Sequence, residues 1–382
     1  MNADRPWDAP APEPPAPLRP RLVGMDLQAL QAFMEGLGEP AWRGGQLYEG
    51  LYRHRWASWD RFSAFGKALR ARLAQAADLS RPRIVDSSAS ADGSTKHAFQ
   101  LEDGRLIEGV HMPYAARGTR IARTPPDSLR SDRVTLCLSS QVGCAMGCTF
   151  CATGQMGILR NLTAGEILGQ VLAMLDHHGH PEQRPVNLVF MGMGEPMHNL
   201  DHLMAAFKVM VDPNALAIPP RRITVSTAGL VSGIQRLGGF QPRPRLALSL
   251  NATTDEARSR IMPVNRVWGL GRLAEALRAF PLAKGERITL EFVLLKGVTD
   301  SLEDGRRLAA FARRFPAKVN LIPFNSHEGS GFEAPDEARI EALCALLAKA
   351  GLTVSVRRSR GQDIAGACGQ LVRRTDRSKS VV

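Results

Sequence analysis

The residues best suited to chemistry in this 382-residue chain are Cys144, Cys148 and Cys151, which form a C-x3-C-x2-C run. Cys137 precedes them, and no other cysteine or histidine stands at ligand spacing. A structural zinc site takes four protein ligands. Three soft thiolates instead suit a [4Fe–4S] cluster in which one iron has no protein ligand. The spacing favours an open iron–sulfur cluster, with a disulfide or a zinc finger as the alternatives.

An open iron can chelate the amino and carboxylate groups of S-adenosylmethionine and pass it an electron. The electron splits that molecule into methionine and a 5′-deoxyadenosyl radical. The C-x3-C-x2-C run resembles the signature of the radical-SAM enzymes, which implies a [4Fe–4S] cluster held by Cys144, Cys148 and Cys151.

The elements that must position these cysteines follow from hydrophobic periodicity. Strand patterns, each followed by a helical stretch, cover residues 134–138, 186–191, 223–226, 246–250, 288–295 and 319–323. Alternating βα units imply parallel strands with helices outside. The predicted fold is α/β: an incomplete (βα)6 barrel over residues 134–373, followed by a basic tail at 374–382.

Polar residues fall where these predicted strands end, which is where barrel enzymes build their sites. The residues at these strand ends are Gly194, Glu195, Ser226, Ser249, Leu250, Asn251 and Asn325; the glycine and the leucine are not polar themselves but adjoin polar residues. A bound S-adenosylmethionine could use the glycine for close backbone approach, the carboxylate for its ammonium group, and the hydroxyls and amides for its carboxylate, ribose or adenine. Taken singly, each serine or asparagine could equally be a turn residue.

Two regions precede the predicted barrel. Residues 1–24 are proline-rich and predict a disordered arm. Residues 25–80 predict a helical RNA-binding domain whose first helix is capped by Asp26. Cations interleave with Tyr48 and Tyr52 along its predicted surface, a mixture that binds nucleic-acid backbones and stacks on bases. The alternative is that these rings form the core of the bundle.

Residues 81–133 predict a β-hairpin accessory segment and a basic inserted loop. Strand patterns at 97–101 and 106–112 flank a turn at Asp103 and Gly104. Alternation places Glu108 on one face with Leu106 and Val110, either as an exposed edge residue or as a buried base. Residues 114–133 form the most basic irregular stretch of the chain.

The amino-acid composition indicates which kinds of binding partner the protein can have. Lysine and arginine outnumber acidic residues by 49 to 37, giving a net charge of +12. This excess favours a nucleic-acid partner, although an arginine-rich proteome could produce it as well. Sequence patterns for a membrane span or a secretory signal are lacking, and cysteines grouped at metal-ligand spacing favour a reducing compartment. We expect a cytoplasmic, monomeric protein without a membrane partner.

Residues 25–373 resemble the RlmN/Cfr family of radical-SAM adenosine methyltransferases. The resemblance is carried by the cysteine run with Cys137 and the residues between them, by the stretches 160–163, 191–196 and 321–325, and by residues 360–371 around Cys368. Two features depart from the family pattern: Asn251 stands where histidine is frequent, and the 114–133 stretch separates Glu108 unusually far from Cys137.

The resemblance implies a mechanism with two molecules of S-adenosylmethionine per turnover. Cys368 takes a methyl group from the first, and the radical from the second removes hydrogen from that S-methyl group. The resulting methylene radical adds to an adenine carbon, Glu108 removes the ring proton, and Cys137 forms a disulfide with Cys368 that releases the methylated base.

The resemblance also implies the substrates. In the RlmN branch they are carbon 2 of an adenosine in the peptidyl-transferase loop of 23S rRNA and of the adenosine 3′ of the anticodon in tRNAs, with a flavodoxin-type electron donor. We expect this activity. The alternatives are carbon-8 methylation, as in the Cfr branch, and a non-catalytic Fe–S protein that binds RNA.

Overall fold

A computed structural model describes residues 11–13, 19–113, 133–181, 184–327 and 329–371. Twelve strands are present in this part of the chain. They are β1 (Arg83–Ala89), β2 (Thr95–Gln100), β3 (Leu106–Pro113), β4 (Val134–Cys137), β5 (Gln141–Cys144), β6 (Gly157–Asn161), β7 (Val186–Phe190), β8 (Ile223–Thr227), β9 (Arg245–Ser249), β10 (Ile288–Leu294), β11 (Ala317–Pro323) and β12 (Val354–Val356).

Ten strands form one sheet in the order β1-β2-β3-β4-β7-β8-β9-β10-β11-β12. From β4 to β12 neighbouring strands run parallel. β1, β2 and β3 form an antiparallel meander that pairs with β4. The predicted α/β class with an incomplete barrel and an accessory hairpin is confirmed. β1, β5 and β6 were not predicted; in β1 the mostly exposed side chains leave no clear apolar alternation.

Helices join the parallel strands: α5 (Ala164–His177), α6 (Leu200–Val211), α7 (Val231–Gly238), α8 (Asp255–Ile261), α9 (Leu270–Ala279), α10 (Leu302–Ala312) and α11 (Glu337–Lys349). A short α4 (Ala152–Gln155) follows the cysteine run. The α5 helix begins with a capping box in which Thr163 accepts from the Glu166 amide and Glu166 accepts from the Thr163 amide. Its residues Ile167, Leu168 and Val171 are fully buried. Burial of this apolar face fixes α5 against the sheet.

The N-terminal region contains α1 (Leu27–Gly36), α2 (Trp42–Tyr48) and α3 (Lys67–Ala76), with a π-helical turn at Glu49–Arg53. Asp26 caps α1 by accepting from the Ala29 amide. Tyr48 and Tyr52 are buried. The Tyr48 hydroxyl donates to Asp212 at 2.9 Å, and that of Tyr52 donates to the Met25 carbonyl at 2.7 Å. Both rings therefore belong to the bundle core, and the expectation of an RNA-stacking surface is wrong for them.

Leu22 and Val23 are buried, and Leu22 donates to the Asp78 carbonyl at 3.0 Å. The packed region thus begins before residue 25, because these apolar residues cover the bundle. Residues 1–10 and 14–18 of the predicted arm lie outside the described residues, as do residues 114–132 of the basic loop and the tail. Among the described helices, none has the length and apolar character needed to cross a bilayer.

Candidate active site

A cavity of about 910 Å³, including its open side, lies at the carboxyl ends of the parallel strands. Most of the predicted site residues line it: Cys144, Cys148, Cys151, Gly194, Glu195, Ser226, Ser249, Asn251, Asn325 and Cys368. Leu250, Glu108 and Cys137 are absent from this lining. The cavity therefore brings together side chains from distant parts of the sequence, at the strand ends where they were predicted.

The three cysteines of the run stand on one short stretch. Cys144 ends β5 and Cys151 precedes α4. Between them, Gly147 has a φ of +64°, which a side-chain-bearing residue rarely adopts. This left-handed turn directs the stretch back toward the cavity.

Burial raises the pKa of the Cys144, Cys148 and Cys151 thiols, and neighbouring cysteines raise the pKa of Cys144 and Cys148 further. A bound cation reverses this effect and holds coordinating thiols deprotonated. One zinc ion would need its sulfur ligands about 3.8 Å apart, yet these cysteines are not among the described groups whose ligand atoms all lie within 4.8 Å. The donor set therefore fits a [4Fe–4S] cluster better than a single zinc ion.

Glu195 is buried beside the cysteines, and both of its carboxylate oxygens accept backbone hydrogen bonds. Oε1 accepts from the Met197 amide at 3.1 Å and Oε2 from the Ala228 amide at 2.8 Å. Burial raises the pKa of Glu195, while these hydrogen bonds act in the opposite direction. The side chain is held rigidly and presents negative charge to the cavity when ionised.

Gly194 has a φ of +104°, and a Cβ there would lie 2.6 Å from Gln141 Cβ. The structure thus shows a close approach at this glycine to the protein's own β5, and the approach of a ligand stays a prediction. The Glu195 amide donates to Gln141 Oε1 at 2.8 Å. Gly194 therefore lets the β7 loop pack against β5 and places Glu195 beside the cysteines.

Ser226 and Ser249 share a buried polar network with Glu291 of β10. Their hydroxyl oxygens lie 3.3 Å apart, and Ser226 donates to Glu291 Oε2 at 3.0 Å. Glu291 Oε1 accepts from Arg357 at 3.1 Å. Sequence reasoning missed Glu291 as a site residue. The available signal was a carboxylate in the middle of an apolar strand, which requires a buried partner.

Asn251 and Leu250 follow β9 but differ in position. Asn251 lines the cavity with a φ of +57°, a conformation that asparagine tolerates, and its Oδ1 accepts from the Val293 amide at 3.0 Å. The Leu250 side chain is fully buried in the core. Leu250 is absent from the cavity lining, so a contact through its side chain is not indicated, and its predicted part in cofactor binding stays a prediction.

Cys368 lines the cavity, and Cys137, the last residue of β4, is near enough to be influenced by it electrostatically. Burial and the neighbouring Cys368 thiol raise the pKa of Cys137 to about 12, and the Arg357 cation lowers it in part. The negative charge of an ionised Cys368 also raises the pKa of the Cys151 thiol. The same charge is the largest influence on the Arg357 guanidinium, whose pKa it raises. One cation thus faces both thiols of the predicted pair.

Hydrogen bonds hold the segment that carries Cys368. Asn325 donates to the Cys368 carbonyl at 3.1 Å and to the Ser359 hydroxyl at 2.8 Å, and it accepts from Gln362 at 2.8 Å. The Gly369 carbonyl accepts from the Ala152 amide at 2.8 Å. Asn325 also lines the cavity; its amide positions this segment, and its contact with the cofactor stays a prediction.

Glu108 lies just outside the cavity lining and is buried. Val110 pairs directly with Cys137. Since alternate residues of a strand share a face, Glu108 faces the same side of the sheet as Cys137. Its Oε1 lies 3.2 Å from Lys96 Nζ, and Lys96 donates to the Ala365 carbonyl at 3.3 Å. Lys96 therefore links Glu108 to the Cys368 segment. The burial of Glu108 excludes the interpretation as an exposed edge residue and leaves the interpretation as a buried base open.

Comparison with known proteins places this geometry in context. Residues 138–309 match the family described as "Radical SAM superfamily", and residues 21–79 match "Ribosomal RNA large subunit methyltransferase N-terminal domain". The chain is 45% identical over 376 residues to a "Dual-specificity RNA methyltransferase RlmN 2" from Myxococcus xanthus, covering 96% of this chain and 95% of that protein. A "Dual-specificity RNA methyltransferase RlmN" from Syntrophotalea carbinolica is 44% identical over 351 residues, covering 92% and 89%.

Among solved structures, a radical SAM methyltransferase from Sphaerobacter thermophilus superposes with a TM-score of 0.84. The two chains are 38% identical, and the match covers 92% of this chain and 99% of the other. The similarity therefore extends over the N-terminal bundle, the hairpin and the barrel together.

Proposed function

Because the chain belongs to the RlmN family of radical-SAM RNA methyltransferases, we propose that it methylates carbon 2 of an adenosine in the peptidyl-transferase loop of 23S rRNA and of the adenosine 3′ of the anticodon in tRNAs. The family assignment confirms the resemblance inferred from the cysteine run. The observation that carries the proposal is that Cys368 lines the same cavity as Cys144, Cys148 and Cys151, with its neighbour Gly369 hydrogen-bonded to Ala152. The names of the relatives support RNA of two kinds as substrate.

The family uses a [4Fe–4S] cluster and S-adenosylmethionine. In this chain Cys144, Cys148 and Cys151 provide the protein ligands of the cluster. When bound, they supply a 5′-deoxyadenosyl radical that takes a hydrogen atom from an S-methyl group. Glu195 offers a carboxylate to the ammonium group, and Ser226, Ser249 and Asn251 offer hydrogen bonds to the remaining polar groups. Two molecules of S-adenosylmethionine serve each turnover, one as methyl donor and one as radical source.

Cys368 carries the methyl group. Its thiolate, beside the Arg357 guanidinium, attacks the methyl carbon of the first S-adenosylmethionine, and S-adenosylhomocysteine leaves with the electron pair of the broken bond. Once this methyl group has lost hydrogen, its carbon bonds to carbon 2 of the adenine and ties the RNA to Cys368. Glu108 then accepts the proton from carbon 2, and the one electron that the radical adduct must also lose would return to the iron–sulfur cluster that supplied it.

Cys137 releases the product. Its sulfur bonds to the sulfur of Cys368 while the sulfur–carbon bond to the RNA breaks, and the proton of the Cys137 thiol ends on the released methyl carbon. A thioether and a thiol thus become a disulfide and a methylated base, so this step needs no external oxidant. The disulfide must be reduced before the next turnover.

The test is nucleoside chromatography with mass detection on 23S rRNA fragments and tRNA. Each RNA is incubated with the anaerobically reconstituted protein, S-adenosylmethionine and a reductant. We expect 2-methyladenosine in both RNAs. 8-Methyladenosine would instead place the chain with the carbon-8 enzymes, and RNA that remains unmethylated while the cluster is intact would overturn the proposal.

Three further properties belong to the proposal. We expect a cytoplasmic location, since the cluster thiols must stay reduced, a flavodoxin-type electron donor and a monomer. Radical cleavage assays with purified flavodoxin and light scattering of the cluster-loaded protein test the last two.

A further inference from the structure

A second group of metal-ligand residues lies on the other face of the accessory hairpin. His97 on β2 pairs with Gly109 of β3, next in sequence to Glu108, and therefore faces away from Glu108. His177 and His178 lie at the C-terminal end of α5, which packs behind the hairpin. Two separate elements of the fold thus bring these three imidazoles together.

The geometry of the three rings is compact. One ring nitrogen from each of His97, His177 and His178 lies within 4.8 Å of the others. His97 Nε2 is 2.8 Å from His178 Nε2, so these two nitrogens aim at a common point. His97 Nδ1 is 2.8 Å from the Ser87 hydroxyl. A partner on the second ring nitrogen is the usual way in which a ligand histidine is oriented toward its metal.

We propose that His97, His177 and His178 bind a Zn²⁺-class divalent transition-metal ion. Three imidazoles are a common ligand set for such ions, and they leave a fourth position for water. His177 is exposed and His178 half-buried, so an ion can enter from solvent. The site joins the hairpin to α5 and is separate from the sulfur ligands of the cavity.

Binding requires a small rearrangement. With nitrogen–metal distances of about 2.05 Å in a tetrahedral site, two ligand nitrogens lie about 3.3 Å apart. The His97 and His178 nitrogens, which now share a hydrogen bond, would separate by about half an ångström as the metal replaces the proton between them.

The surroundings favour neutral ligands. Burial and the charges of His178 and His177 lower the pKa of His97 to about 4, and burial also lowers the pKa of His178. His111 stacks on His178 with ring centroids 3.6 Å apart. Within the described residues, His111 Nδ1 is buried without a hydrogen-bond partner. A fourth histidine ring with an unpartnered nitrogen therefore lies next to the three, on the hairpin side.

The experiment uses protein with its iron–sulfur cluster in place, so that the cavity cysteines are occupied. The protein is equilibrated with Zn²⁺, dialysed against a weak chelator, and analysed for zinc and iron by mass spectrometry. Zinc X-ray absorption then reports the ligand atoms. We expect one zinc per chain with a nitrogen and oxygen shell, in addition to the cluster iron.

The variants separate this site from adventitious binding. His177→Gln alters an exposed side chain and should remove the retained zinc without affecting folding, as should His97→Gln if it folds. Ser87→Ala should weaken binding about tenfold, as loss of an orienting partner does. His202→Gln, at a histidine on α6 that binds Glu13, should retain zinc. No retained zinc in the parent protein, sulfur ligands in the spectrum, or unchanged binding by His177→Gln would overturn the assignment.

Discussion

The cavity contains two groups of cysteines that are built in different ways. Cys144, Cys148 and Cys151 come from one short stretch between β5 and α4, so local backbone geometry sets their spacing. Cys137 belongs to a central strand, whereas Cys368 lies on a C-terminal segment of turns held by side chains such as Asn325 and Lys96. Ligands of a permanent cofactor gain from a rigid local frame. For Cys137 and Cys368 we propose that the pair carries, bonds to and releases a substrate, and such a pair gains from having one thiol on a fixed strand and the other on a separately attached segment.

The first prediction separates the two groups most strongly. Cys148→Ala should abolish RNA methylation, because two thiolates cannot hold the cluster that supplies the radical. Iron analysis should show the loss, while circular dichroism stays unchanged. Cys368→Ala is the matched control, and it should lose methylation equally but retain its iron. Retention of a full cluster by Cys148→Ala would contradict the assignment of ligands.

The second prediction concerns the fixed member of the pair. Cys137→Ala should form the bond to RNA but fail to release it, because the thiol that attacks Cys368 is missing. Denaturing gel electrophoresis should show protein covalently attached to RNA in place of multiple turnover. Release of free methylated RNA at the parental rate would remove Cys137 from the mechanism.

Glu108→Gln should have the next largest effect. Removal of a general base lowers kcat by about 10²–10⁴-fold. Because Glu108 lies behind the pair and away from the cysteine run, the variant should keep its iron and its methylated Cys368 peptide. Single-turnover assays with mass spectrometry of that peptide would show whether the loss lies after methyl transfer. Lys96→Met would test the contact that orients Glu108, with a smaller loss expected.

Asn325→Ala should have the smallest effect of the four. It removes hydrogen bonds that hold the Cys368 segment, and loss of a buried partner costs about 1–3 kcal/mol. We expect methyl transfer to be slowed about tenfold, with the cluster unchanged. Asn214→Ala, at an exposed asparagine after α6, is the control. Loss of iron in Asn325→Ala alone would show that the two groups of cysteines depend on each other structurally.

Much of the barrel could be predicted from the sequence because the signals that define its helices and strands lie within short stretches of the chain. The α5 capping box needs only Thr163 and Glu166 at the right spacing, and the strand ends located Glu195 and Ser226 because parallel strands share one edge. Features that depend on tertiary pairing could not be predicted. Tyr52 was predicted to be on an RNA-binding surface, but packing buries it. The partner of Glu291 is Arg357 from the far end of the chain, and the histidine group exists only because the end of α5 lies against His97 of β2.

The attachment of the Cys368 segment has a consequence for the newly made protein. Domains and their parts fold in the order in which the ribosome delivers them. The 144–151 stretch emerges with β5 and α4, whereas Asn325, Arg357 and Cys368 follow only near the end of translation. Until then the cavity lacks the wall that this segment forms over Ala152. A nascent chain whose 144–151 stretch has folded therefore still has an open side at the three cysteines, and only docking of the last residues brings the proposed methyl-carrying thiol to them.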